Sequence, residues 1–459
     1  MRRLLLFLLL YSGYYIVHAQ PSFKIEGCLS NFPYQKVLLS TLDGYSTVID
    51  TAVVKDGCFE FKVSTDMQPG MYSIVLDKKS NAYIHFVYNH EDIEFKSDFK
   101  HLSDSMVFAK SVENRLFYRN VAFQTTYSRK LDLLGRIGTL YDKNSDFAKE
   151  ITTERKSLKK DYESFTAQLL QEGNNTLYAK ILHAQQPLSL PEQLSSAEQL
   201  KYTQLHALDN IDFGCEPLMR TDIITRFLPE YIALFKSNAL TRVQQEDNYR
   251  VAVDRILAKC AVNDEMYKFV CQNLEQIFQY GEFDIISAYI KEKRIASGMC
   301  MSEQETADLK KNIEDIKRIA VGNAMPDMQI SDISNRTFRL YDIISPYTLV
   351  VFWAASCSHC VAMMPTLSKL YQSQKEKKLE VLAVSIDMVE QDMLSFLKTG
   401  NYNWINCHVK PENRNQMLAQ YNVFGTPTFL LLDENKTIVS KPSSVADLQV
   451  ELLKLNMSR

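Results

Sequence analysis

The sequence predicts a multidomain protein with an N-terminal antiparallel β-sandwich, an all-α middle region and a C-terminal α/β domain. Its 459 residues are enough for about three domains at roughly 150 residues each. Apolar residues first recur with a period near two, and after residue 103 with a helical period. From residue 321, buried strands alternate with helices. We therefore predict a β-sandwich over 20–102, a helical region over 103–320 and an α/β domain over 321–459.

The overall composition excludes several classes of protein. Lys and Arg number 52 against 55 Asp and Glu, for a net charge of −3, and no five like charges are consecutive. This balance argues against a nucleic-acid partner. Hydrophobic residues make up 46% of the chain, with 14 Gly and 13 Pro, so a disordered or fibrous chain does not fit.

The first 19 residues have the pattern of a cleavable signal peptide. Met1–Arg3 is basic, Leu4–Val17 is apolar, and Val17–Ala19 offers small residues for cleavage. The alternative is an uncleaved anchor, but this apolar stretch is shorter than the roughly 20 residues of a spanning helix. We expect an exported protein of the periplasm.

The N-terminal region, 20–102, has short runs of alternating apolar and polar residues separated by turn signals such as Asp56-Gly57. The clearest runs are Phe23–Gly27, Lys36–Leu39, Ser46–Thr51 and Cys58–Val63. Cys28 and Cys58 each follow a glycine in a predicted strand. A disulfide between them and two free thiols are both open alternatives.

The middle region has the apolar spacing of helices. Six apolar residues form one stripe that ends at Gly173, a typical helix stop: Phe147, Ile151, Leu158, Tyr162, Phe165 and Leu169. In a second helical block, Pro229 is interpreted as a first-turn residue. Cys260 and Cys271 could share a face of one long helix, but Asn263 indicates a new helix start between them. Buried free thiols are therefore the favoured interpretation.

The C-terminal region contains two continuous apolar runs, Leu349–Trp353 and Leu379–Ile386. Such runs are typical of parallel strands covered on both faces. The segments Met364–Gln374 and Glu390–Lys398 supply helices between the strands. Asp387, directly after the second run, is interpreted as a helix N-cap; a carboxylate of the functional site is the alternative.

A Cys-x-x-Cys motif, Cys357–Cys360, follows the first of these strands and opens a helix. Free N–H groups and the helix dipole at that position stabilise a thiolate. Cys357 is therefore the candidate attacking thiol, and Cys360 is the candidate resolving thiol. A structural disulfide or half of a metal site is the alternative, although no second motif of this spacing supplies further ligands.

Three further residues are expected to contact substrate. Thr426 and Pro427 precede another apolar strand, and a cis proline there would free the backbone before it to pair with an extended peptide. Trp353, which packs beside the motif, is the third.

Within the motif, His359 and Ser358 are expected to modulate the thiol, because an imidazole near Cys357 stabilises the thiolate. A solvent-facing His359 is the alternative. The pair Cys407 and His408 is interpreted as coincidence.

Together these motifs make Val321–Arg459 resemble the thioredoxin fold in its exported, TlpA-like disulfide oxidoreductase branch. The matching segments are Val321–Asp327, Phe352–Ala354, the Cys-x-x-Cys motif, Pro365 and Gly425–Thr428. The resemblance implies that Cys357 attacks, Cys360 resolves and Pro427 is cis. The front segment resembles a β-sandwich of unknown function, and the middle an uncharacterised helical spacer.

The chain departs from that family at positions that matter for proton transfer. Ser356 stands where many members carry Trp before the first cysteine. Val351 and Met363 stand where thioredoxins and some TlpA-like reductases carry acids. Neither familiar proton acceptor for Cys360 is therefore present in this sequence.

The predicted function is an exported thiol-disulfide oxidoreductase without cofactor or metal. Its expected partners are cysteine-containing envelope proteins and a membrane or soluble thiol that exchanges electrons with the pair; a homodimer is an open alternative. A thiol peroxidase, and an envelope binding or scaffold protein with an auxiliary thioredoxin domain, are the other hypotheses.

Overall fold

The computed structural model describes residues 22–42, 47–77, 79, 81–102, 105–191, 193–278, 283–298, 301–374 and 379–457. The predicted signal peptide at 1–19 lies outside the described residues. The described residues form two compact units. The first consists of the residues up to Leu194 together with His206–Arg226, and the second consists of Ser195–Leu205 together with the residues from Phe227 onward. The three-domain boundaries stay a prediction.

The first unit contains two four-stranded sheets, in the orders β4-β1-β7-β8 and β3-β2-β5-β6. Their strands are β1 (Ser22–Ser30), β2 (Lys36–Thr41), β3 (Val48–Val53), β4 (Cys58–Ser64), β5 (Gly70–Asp77), β6 (Ala82–Tyr88), β7 (Ile93–Asp98) and β8 (Val107–Lys110). The buried side chains of both sheets share one core, which includes Ile25, Phe61, Phe86 and Phe95. The prediction of antiparallel pairing is wrong for one pair, because β7 returns from the second sheet to lie parallel to β1.

A disulfide joins Cys28 to Cys58, which are opposite each other in the antiparallel pair β1 and β4. The turn before Cys58 places Gly57 at a φ of +77°, where a Cβ atom would lie 2.4 Å from the Leu29 carbonyl oxygen. Only glycine fits both the backbone angle and that space. Of the two alternatives left by the sequence, the structure has the disulfide.

The helices of the middle region are α1 (Val112–Gly138), α2 (Asp146–Glu172), α3 (Leu177–Ala184), α4 (Ser196–His206), α5 (Ile223–Ala233), α6 (Arg242–Cys260), α7 (Asp264–Phe278), α8 (Asp284–Ala296) and α9 (Glu303–Arg318). Gly173 is the C-cap of α2, as predicted. Asn263 accepts a hydrogen bond from the Met266 N–H at 2.8 Å and so starts α7. The first-turn position predicted for Pro229 is wrong, because α5 already begins at Ile223.

The C-terminal region has a five-stranded mixed sheet in the order β13-β12-β11-β14-β15 and a small hairpin of β9 and β10. Its strands are β9 (Gln329–Ser331), β10 (Thr337–Arg339), β11 (Tyr347–Trp353), β12 (Leu379–Ser385), β13 (Ile405–His408), β14 (Thr428–Leu432) and β15 (Ile438–Ser440). Its helices are α10 (Ser358–Gln374), α11 (Glu390–Leu397), α12 (Pro411–Gln420) and α13 (Val445–Met457).

The central strand β11 is buried along its whole length, because apolar clusters cover both faces of the sheet. β12 lies parallel to β11 on one side, and β14 lies antiparallel on the other. The α/β architecture predicted for this region is confirmed. Throughout the ranges given above, no helix is both long enough and apolar enough to cross a membrane.

Candidate active site

The two thiols of the Cys-x-x-Cys motif lie where β11 passes into α10. Cys357 immediately precedes the first helical residue, and the Cys360 N–H donates to its sulfur at 3.4 Å. The Cys357 thiol contacts the Thr426 carbonyl oxygen at 3.3 Å. Cys357 is half-buried, whereas Cys360 has no exposed surface. An incoming disulfide can therefore reach the first sulfur but not the second.

The surroundings of the two thiols move their pKa values in opposite directions. Burial by itself would raise the pKa of Cys357. Hydrogen bonding with the side chains of Thr426 and Cys360, and with the backbone N–H groups of Cys360 and His359, outweighs it and lowers the pKa. Burial raises the pKa of Cys360 to about 11. The exposed thiol is thus the better thiolate, as an attacking nucleophile requires.

The peptide bond between Thr426 and Pro427 is cis, as the family resemblance implied. The loop that contains this bond lies beside the motif because β14, which starts at Thr428, pairs with β11. Next to the thiols is a groove of about 350 Å³. It is lined by His359, Met363, Thr366, Pro427, Phe429, Ser443, Ser444 and Val445.

The other candidate residues of the motif and of β11 differ in their exposure. Ser358 and His359 are exposed, and within the described chain no hydrogen bond joins the His359 ring to Cys357, so their modulating role stays a prediction. Trp353 is fully buried, with its ring 5.3 Å from the ring of Phe396. Its predicted contact with substrate is wrong, because β11 is covered on both faces.

Asp387 lies at the site, as the alternative to its interpretation as a helix N-cap held. Its carboxylate accepts the N–H groups of Ala355 and Ser356 at 2.8 and 3.2 Å. It also accepts the hydroxyl groups of Ser356 and Ser385 at 3.2 and 2.9 Å. The N-cap of α11 is Val389 instead, so the interpretation of Asp387 as a cap is wrong.

The buried Asp387 carboxylate therefore fixes the two residues that precede Cys357. The signal available in the sequence was its position directly after a predicted parallel strand. The carboxyl ends of neighbouring parallel strands lie at the same edge of a sheet, and β11 and β12 are such neighbours. A ring N–H of His408 donates to the Asp387 carbonyl at 2.8 Å and fixes this segment in turn.

Cys407, Val351 and Met363 supply no reactive or proton-accepting group to the site. Cys407 is buried, which raises its pKa to about 12. Val351 lies in the core, and Met363 lines the groove. Among the residues that the structure describes, no group of three or more His, Cys, Asp or Glu could hold a metal ion.

Two segments match known protein families. Residues 346–438 match a family described as thioredoxin-like, and residues 23–117 match a domain of unknown function, DUF4369. The first match includes both thiols, Asp387 and Pro427. The second includes the Cys28–Cys58 disulfide.

Several relatives of the C-terminal region are known. The thiol-disulfide oxidoreductase ResA of Geobacillus kaustophilus is 28% identical over 137 residues, which are 29% of this chain and 77% of that protein. ResA of Oceanobacillus iheyensis is 40% identical over 129 residues, 27% of this chain and 66% of that protein. A solved thioredoxin domain of a thiol-disulfide oxidoreductase from Bacteroides vulgatus is 29% identical, with a TM-score of 0.29, and covers 30% of this chain and 97% of that domain.

Proposed function

This chain is a thiol-disulfide oxidoreductase of the thioredoxin family, and we propose that it is exported and exchanges disulfides with cysteine-containing proteins of the cell envelope. The observation that carries the proposal is the asymmetry of the two thiols. Cys357 is accessible with a lowered pKa, and Cys360 is buried with a pKa of about 11. This arrangement favours a first attack by Cys357 and a later attack by Cys360.

In the first step, the Cys357 thiolate attacks one sulfur of a substrate disulfide. A bond forms between Cys357 and the substrate, the substrate disulfide breaks, and its second sulfur leaves as a thiolate that takes a proton from water. Cys360 then gives its proton to water and attacks the Cys357 sulfur. The Cys357–Cys360 disulfide forms and the remaining substrate sulfur leaves, so that two electrons pass to the substrate.

The reverse sequence oxidises a substrate dithiol. A membrane or soluble thiol partner restores the starting state: in its dithiol form it reduces the Cys357–Cys360 disulfide, and in its disulfide form it reoxidises the reduced pair. The pattern of residues 1–19 supports export, and the persistence of disulfides such as Cys28–Cys58 in oxidising compartments supports the periplasm. We propose that Thr426 and Pro427 bind the substrate backbone beside the groove, with His359 at its edge.

Mixed-disulfide trapping tests the proposal. In Cys360→Ser, the intermediate cannot be resolved, so we expect envelope proteins to remain attached to Cys357 and to be released by dithiothreitol. Cys357→Ser with Cys360→Ser is the matched control and should trap none. Rapid consumption of hydrogen peroxide by the reduced protein would instead indicate a thiol peroxidase. Partner capture that survives the loss of both thiols would indicate a binding or scaffold protein.

The direction of transfer follows from the reduction potential of the Cys357–Cys360 pair. A potential near −270 mV indicates a reductant or isomerase, and one near −120 mV indicates an oxidant. Export is tested by fractionating cells and sequencing the N-terminus of the mature protein, which we expect to begin at Gln20. An uncleaved N-terminus in the cytoplasm would contradict the proposed location.

A further inference from the structure

A second cavity, of about 250 Å³, adjoins the groove beside the thiols. Pro427, Phe429 and Ser443 line both spaces. The wall of the second cavity also includes residues of the helical region, Asp284 at the start of α8 and Ile319 just after α9. The helices that precede the thioredoxin-like sheet therefore reach the neighbourhood of the active site.

A third and larger space, of about 660 Å³, shares part of its wall with the second. Asn422 and Phe424 line both of them. The remaining wall comes from α7, α8 and α9, for example from Glu275, Lys291 and Asp308. The three spaces thus share lining residues in turn, from the groove beside Cys357 to the space walled by the helical region.

Phe424 lines both the second and the third space and is an exposed aromatic side chain. It is 53% exposed and lies two residues before Thr426, which contacts the Cys357 sulfur. Aromatic residues, Phe among them, are enriched in protein–protein interfaces. Its place in the chain ties it directly to the cis-proline loop.

The wall of the second cavity also contains a buried carboxylate. Asp284 is 4% exposed and forms a buried ion pair with Lys441 through its Oδ2 oxygen. Its Oδ1 oxygen accepts no hydrogen bond from the described residues.

We propose that α7, α8 and α9 form the distal part of a polypeptide-binding groove, with Phe424 as its anchor. The occupant is the segment of a substrate protein that flanks the cysteine attacked by Cys357, extending from Pro427 past Phe424. The proposal rests on the proposed function, because the segment is held there only while its cysteine reacts. It assigns the helical region to substrate recognition.

Two activated substrates test this groove with the reduced full-length protein. One is cysteine linked as a mixed disulfide to 2-nitro-5-thiobenzoate, and the other is the same disulfide on a peptide with leucine and alanine flanks on both sides of the cysteine. Release of the coloured thiol gives the rate of Cys357 attack on each. We compare Phe424→Ala with Leu453→Ala, a control of nearly equal exposure at 54% on α13.

We expect the peptide to react faster than cysteine in the wild type and in Leu453→Ala. In Phe424→Ala, the peptide rate should fall about tenfold, equivalent to about 1.4 kcal/mol, with the cysteine rate unchanged. A peptide-to-cysteine rate ratio in Phe424→Ala that equals the wild-type ratio would overturn the proposed groove, whether both rates stay the same or both fall equally. If wild-type protein fails to react with the cysteine disulfide, the proposed function fails instead.

Discussion

Replacement of Asp387 by alanine should both destabilise the protein and slow Cys357. The substitution removes the acceptor of the Ala355 and Ser356 N–H groups and of the Ser385 hydroxyl. Hydrogen bonds to charged groups contribute about 1.5–3 kcal/mol each when buried, and water can replace part of this at half-exposed Ala355. With about 2 kcal/mol for Ser385 and about 1 kcal/mol for each N–H group, we expect a loss of about 4 kcal/mol in the free energy of unfolding.

The effect on Cys357 follows from the same contacts. Without the carboxylate, the segment that places the sulfur at the start of α10 is no longer fixed, so the N–H groups that lower the Cys357 pKa align less well with it. We expect slower alkylation of Cys357 by iodoacetamide near neutral pH and a shift of the alkylation midpoint to higher pH. Urea unfolding and alkylation at several pH values measure the two effects. Asp387→Asn, which keeps one acceptor oxygen, should recover part of both.

Asp433→Ala is the matched control. Asp433 accepts the N–H groups of Asn435 and Thr437 at 2.9 and 2.8 Å in the turn between β14 and β15. Its loss should lower stability by about 2 kcal/mol and leave the alkylation profile of Cys357 unchanged. If Asp387→Ala costs no more stability than this control and keeps the wild-type profile, the carboxylate does not position the thiol.

Three further predictions concern the thiols and the core. Because its pKa is lowered, Cys357 should be alkylated with a pH midpoint below that of an ordinary thiol. Cys360, with a pKa of about 11, should stay unmodified at pH 7 in the reduced protein. Mass spectrometry that finds Cys360 modified first would contradict the assignment. Replacement of both Cys28 and Cys58 by serine removes a disulfide between residues 30 positions apart. It should lower the free energy of unfolding by about 3–4 kcal/mol and leave the rate of Cys357 alkylation unchanged. An altered rate would indicate that the disulfide acts on the site. Leu367→Ala, at a fully buried position of α10, should cost about 3 kcal/mol, and a loss below about 1 kcal/mol in urea unfolding would mean that the cavity collapses.

The parts of the site that the sequence predicted depend on local signals. A buried strand followed by Cys357-Ser358-His359-Cys360 defines a strand-to-helix junction within a few residues, so both thiols could be placed. Pro427 lies 67 positions after Cys360 and was placed through the family resemblance. In both cases the chemistry is visible in the residue types themselves.

The parts that the sequence missed depend on which strands are neighbours. Asp387 reaches Ala355 and Ser356 because β12 pairs with β11, and nothing local to Asp387 indicates that register. Trp353 was expected to contact substrate because it is near the motif along the chain. Burial of both faces of β11 places it in the core instead. Phe424 and α8 come together through tertiary packing, which the apolar pattern of either segment does not contain.

The burial of the remaining cysteines determines where electrons can go. Outside the motif and the Cys28–Cys58 disulfide, the cysteines that the structure describes are Cys215, Cys260, Cys271 and Cys407, and each is free and buried. Burial raises the pKa of every one of them, so they remain protonated and poorly nucleophilic near neutral pH. These four thiols are therefore protected from disulfide exchange with the active-site pair. Among the described residues, Cys360 is therefore the one thiol that the arrangement offers to a disulfide formed on Cys357.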